Sequence, residues 1–240
     1  MKVSILLVGI FCVGIRGGAA QERKVAFRTL CLDLVENIDR VVLPAESPDT
    51  KQEIQLYTNL SPVVESVFRS GEVKFYVEVQ DADGGLKLEL AAKGQLGRSG
   101  RQLMLFVPTG SKPGSGKLPY MLKCYNDDLD SFGMGHVRAI NMAPVPVRFV
   151  ISGKTTPEIP AGKFAQFPHS TKVNEFNMYP VVTEFLDRKG DWVKGQSVSW
   201  KATERRRDIV VTLIDSRFKQ PAVRIYTDIP PWTEEVPDEP

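Results

Sequence analysis

Histidine and cysteine are nearly missing from this 240-residue chain, which has two of the first and three of the second. With His136 and His169 as the only imidazoles, a Ser–His or Cys–His pair has few ways to form. His136 opens a strand-like run, and His169 lies in the loop Phe167-Pro168-His169-Ser170-Thr171. Ser170 is too close to it along the chain for triad geometry, and no G-x-S-x-G elbow is present. No catalytic residue is therefore assigned. The same scarcity excludes a Cys/His zinc site. Gly110–Lys117 lacks the spacing of a phosphate loop. Asp81–Gly84 and Asn126–Asp130 lack the twelve-residue calcium loop that ends in Glu. No metal and no cofactor are expected.

Charge of one sign is also absent, since the formal net charge is only +2. Taking Lys2 and Arg16 from the 31 basic residues leaves 29, equal to the 29 acidic ones. A neutral chain has no global electrostatic reason to bind nucleic acid, so no nucleic-acid partner is expected. Long hydrophobic runs are limited to Val3–Gly14, which follows the basic Lys2 and precedes the small residues Gly18-Ala19-Ala20. That run falls short of the roughly 20 residues that cross a bilayer. It has the layout of a cleavable signal peptide over residues 1–20, with no integral membrane segment after cleavage. The expected location is periplasmic or extracellular. Cys31 and Cys124 then remain in an oxidising compartment, and sequence does not decide between a bridge and two buried thiols.

What is present is period-two alternation broken by Gly, Pro and Asp. Leu30, Leu32 and Leu34 alternate, as do Ile54 and Leu56, then Val73, Phe75, Val77 and Val79. The turn Asp81–Gly85 followed by Leu86, Leu88 and Leu90 predicts a hairpin. Gln102–Val107 and Pro119–Tyr125 read as strands, and so do Val137–Ile140, Val145–Ser152, Val181–Leu186, Ser197–Lys201, Asp208–Ile214 and Ala222–Tyr226. One helix is expected, over Ser61–Phe68. The fold class is all-β, with two tandem immunoglobulin-like β-sandwich domains after the signal peptide.

An internal echo sets the division. Asn59-Leu60-Ser61-Pro62 matches Asn141-Met142-Ala143-Pro144, and Arg101–Val107 matches Arg207–Leu213. Lys123-Cys124-Tyr125-Asn126-Asp127 matches Arg224-Ile225-Tyr226-Thr227-Asp228 in the same order. The expected domains are 21–131 and 132–232, with a disordered acidic tail over 233–240.

His136–Pro144, the strand to Ile151, the turn Ile159-Pro160-Ala161-Gly162 and the closing Val223–Asp228 resemble an immunoglobulin-like domain of unknown function from secreted bacterial proteins. With its Tyr226–Trp232 end, the chain also resembles an uncharacterised exported protein family of Verrucomicrobia-type bacteria. Pro146 and the segment Gln166–Lys194, which looks like an insertion, depart from the domain pattern and leave the strand count open. The resemblance implies a sandwich and export, and no activity.

Two functional classes follow. The first is a non-catalytic binding or structural module of the cell envelope, with another envelope protein or a glycan as partner. The second is a carbohydrate-active enzyme or accessory protein. It would use loop carboxylates among Asp127, Asp128, Asp130, Glu175 and Glu184, because glycoside hydrolysis needs two acids across a cleft. In turns such carboxylates are ordinarily solvated, and Arg205-Arg206-Arg207 reads as a set of edge-protecting charges. Trp192, Trp200, Tyr179 and Phe176 are the candidate ligand-binding residues. Exposed, they would stack on sugar rings; buried, they would fill the second domain's core.

Overall fold

A computed structural model describes residues 22–36, 38–44, 51–80, 83–215 and 218–232. The expected signal peptide and acidic tail lie outside the described residues. Among the described residues sixteen strands form four sheets of four. The first eight are β1 (Arg23–Cys31), β2 (Arg40–Pro44), β3 (Lys51–Gln55), β4 (Val64–Phe68), β5 (Glu72–Gln80), β6 (Leu86–Gln95), β7 (Arg101–Pro108) and β8 (Tyr120–Asn126). The second eight are β9 (His136–Asn141), β10 (Val147–Ile151), β11 (Lys154–Thr155), β12 (Phe164–Pro168), β13 (Met178–Leu186), β14 (Trp192–Lys201), β15 (Arg207–Ile214) and β16 (Pro221–Asp228). The protein is all-β, two tandem sandwiches in one chain.

The strand orders repeat. In the first unit β4-β1-β7-β8 faces β3-β2-β5-β6; in the second, β12-β9-β15-β16 faces β11-β10-β13-β14. Each unit has one parallel pairing, β1 with β7 and β9 with β15, inside otherwise antiparallel sheets. Phe27, Phe75 and Phe106 anchor the first unit's core, and Phe149, Tyr179, Val181 and Trp200 the second's. A third apolar cluster lies between the units. Leu30, Leu32, Leu103, Leu105 and Tyr125 of the first meet Ile140, Ile209 and Val211 of the second. The sheets that carry β1 and β9 are thus inner sheets, covered on both faces. That is why β7 and β15 are apolar almost without alternation.

Three expectations need correction. Ser61–Phe68 holds no helix: Val64–Phe68 is strand β4, paired antiparallel with β1. The segment is rich in β-branched Val63, Val64 and Val67, which suit a strand edge better than a helix. Gln166–Lys194 is no insertion, because it supplies the end of β12, all of β13 and the start of β14, each with a counterpart in the first unit. The Asn59 and Asn141 turns are not equivalent either, since Asn141 ends β9 while Asn59 precedes β4. The other two echoes do fall on equivalent strands, β7 with β15 and β8 with β16. Cys31 and Cys124 are free thiols. They lie on β1 and β8, which flank β7, so about 9–10 Å separates their strands, beyond disulfide reach.

Candidate functional site

Two places concentrate polar chemistry, the junction between the units and the open face of the second unit's outer sheet. The junction is built from the echo itself. Asp127 follows β8 and Asp228 ends β16, while Arg28 leaves the inner face of β1 and Arg207 begins β15. Arg28 donates to Asp228 through Nη1 (2.6 Å) and Nη2 (2.9 Å), and to Asp127 through Nε (3.0 Å) and Nη2 (2.7 Å). Arg207 donates to Asp228 through Nε (2.6 Å) and to Asp127 through Nη2 (2.5 Å). Its Nη1 donates to the carbonyls of Phe132 and Asp127. Each carboxylate thus receives both guanidinium groups, and two of the four ion pairs cross from one unit to the other. All four side chains are almost wholly excluded from solvent.

Aromatic rings close this quartet. Trp232 lies against Arg28 and Arg101 and donates its indole N–H to the Asp127 carbonyl. Phe132 sits between Arg207 and Arg138. Arg138 donates to the carbonyls of Asn126 and Ser131 and has no carboxylate of its own, and burial lowers its pKa to about 10. Burial pushes the Asp228 carboxyl upward, but the bonds and charges of Arg28 and Arg207 outweigh this and hold it below the usual carboxylate range. The reading of Asp127 as a solvated turn acid is therefore corrected, as is that of Arg207 as an edge charge. Both are buried, because each finds one counter-ion on its own unit and a second on the other.

The other expected acids do not form a cleft pair. Asp128 accepts the Ser131 N–H, Glu184 pairs with Arg148, and Asp130 and Glu175 are exposed in loops. Imidazole chemistry is equally confined. His169 Nδ1 bonds the Tyr179 hydroxyl at 2.8 Å, and its Nε2 lies 3.7 Å from Asp208. Burial lowers the His169 pKa against the pull of Asp208. Its hydrogen-bond partner is a buried phenol rather than a serine or threonine hydroxyl. Among the described residues no group of three or more His, Cys, Asp or Glu is placed to hold a metal ion. No described helix is long and apolar enough to cross a membrane.

The four candidate aromatics separate. Trp200 packs on Phe149 and on Tyr179, and both Trp200 and Tyr179 are buried in the core, so neither offers a ring face to a ligand. Phe176 is exposed on the loop before β13. Trp192 stands at the start of β14, half-buried, with the Arg148 guanidinium 4.2 Å above its ring. A β-bulge decides this arrangement. Trp192 and Trp200 are eight residues apart and would share a face of a regular strand. Trp192 pairs with Leu186 and Trp200 with Tyr179, seven apart on β13, because β14 carries one extra residue opposite Thr183/Glu184. Trp192 therefore emerges on the outer face while Trp200 enters the core. The row Arg148–Glu184–Lys194 runs beside it across β10, β13 and β14. Sequence reasoning missed Arg148 and its role beside Trp192; their positions, 44 residues apart, gave no local signal.

No family model and no curated protein matches the chain. Among solved structures it is similar to a candidate cell adhesion protein from Bacteroides uniformis, at 12% identity over 88% of this chain and 98% of that one, with a TM-score of 0.23.

Proposed function

We propose that this protein is an exported, non-catalytic binding module of the cell envelope, whose partner is another envelope protein or a glycan. The observation that carries this reading is the buried Arg28–Asp127–Arg207–Asp228 quartet. It buries Asp127, one of the candidate hydrolytic acids, and joins the two sandwiches through two ion pairs that cross between them, Arg28–Asp228 and Arg207–Asp127. What remains outside is two broad sheet faces and their edges, surfaces suited to recognition rather than to enclosing a reacting group. The resemblance of the second half to secreted immunoglobulin-like domains supports export. So does the basic–apolar–small pattern of residues 1–20.

The test uses the chain without residues 1–20 on a glycan array and in pull-downs from envelope extract. Each bound glycan is also assayed for new reducing ends. Saturable binding without turnover is the expected result. Multiple turnovers of any bound saccharide would replace the binding reading with an enzymatic one.

A further inference from the structure

Among the described residues no layer packs on the outer face of the sheet β11-β10-β13-β14, unlike the inner sheets, which are covered twice. On this face Arg148 is fixed from two sides. Its Nε donates to Glu184 at 2.7 Å, and its guanidinium carbon lies over the Trp192 ring, 4.2 Å from the ring centre. Among the described residues its two terminal nitrogens have no hydrogen-bond partner, and the side chain is 28% exposed. A guanidinium already ordered by stacking and one ion pair, with its outer donors unused, is pre-organised for a carboxylate. Lys194 extends the row on the far side of Glu184, and Arg188 and Lys189 occupy the adjoining β13–β14 turn. Asp187 in that turn is occupied in capping the backbone N–H groups of Lys189 and Asp191. With Asp191 and Glu184 as the other acids, this end of the face and its turn carry four basic against three acidic groups. The chain from residue 21 is neutral overall, so this excess is local.

The geometry points to a site for a carboxylated saccharide chain, of the uronate class, on this face. The site rests on the reading of the protein as a binding module and names the chemistry of its ligand. The uronate carboxylate takes the free donors of Arg148. The exposed part of Trp192 and the neighbouring Leu186 give apolar contact to a pyranose ring, and Glu184 accepts from a sugar hydroxyl. A flat face fits an extended polymer better than a small molecule, which needs a concave pocket.

Titration calorimetry with oligogalacturonate tests this on the chain without residues 1–20. Maltoheptaose serves as the uncharged saccharide and poly-glutamate as an anion without sugar rings. Oligogalacturonate is expected to bind best. Arg148→Gln and Trp192→Ala should each weaken it by about ten-fold or more, the scale of losing one charge-assisted contact. Arg148→Lys should remain weak because it restores charge without the planar stack. Both positions lie on an outer face, so unfolding midpoints should stay near wild type. Equal binding of poly-glutamate, or oligogalacturonate affinity indifferent to both substitutions, would overturn the site. So would no oligogalacturonate binding at all; if an envelope partner were still captured by the wild type and by Arg148→Gln alike, the module reading would survive that loss.

Discussion

Arg207 follows Arg205 and Arg206, yet its side chain has no exposed surface at all. Its burial is tolerable because Asp127 and Asp228 neutralise it and two carbonyls take its remaining donors. Removing one member of such a set leaves a desolvated charge behind, at a cost of about 3–5 kcal/mol. Asp228→Asn should therefore lower unfolding stability by an amount in that range, measured by urea titration at neutral pH. The pH dependence has a definite sign. The folded-state pKa of Asp228 is depressed, so its contribution is complete above the unfolded carboxylate value near 3.9 and is lost as pH falls through the lower folded value. Wild-type stability should decline below about pH 4 more steeply than that of Asp228→Asn. Parallel acid limbs for the two proteins would rule this out.

At the scale of elements, one glycine sets the phase of a strand. Gly195 occupies the bulge in β14, and a Cβ there would lie 2.5 Å from the Phe185 ring. Gly195→Ala should destabilise the second unit by about 1–3 kcal/mol, as overpacking does. Adding Phe185→Leu should recover part of that loss, with thermal melting as the measurement. If the alanine is tolerated without change, the bulge does not depend on the absence of a side chain. The same bulge shows why the candidate site was only partly legible. Trp192 was visible as a candidate, but counting by twos places it beside Trp200, and the extra residue reverses that. Strand β4 was misjudged for a related reason. Its edge position in the sheet, not any strong alternation in Val64–Phe68, makes it a strand.

For the whole molecule, the shared apolar cluster and the quartet couple two sandwiches that have separate cores. Calorimetry should show one unfolding transition for the wild type. Arg207→Ala should split it, because the cross-unit ion pair with Asp127 is lost and Asp228 keeps only Arg28, while each core remains intact. Two transitions already present in the wild type would mean that the junction does not enforce cooperativity.

The sequence by itself determined the all-β class and the repeat of β7–β8 in β15–β16. These are local properties, carried by alternation and turn residues. Only the tertiary structure decided that Arg28, Asp127, Arg207 and Asp228 are interior, since the four charges are gathered from both units and no local window of sequence contains them all. It also decided which tryptophan faces outward, because a single bulge inverts every side chain beyond it.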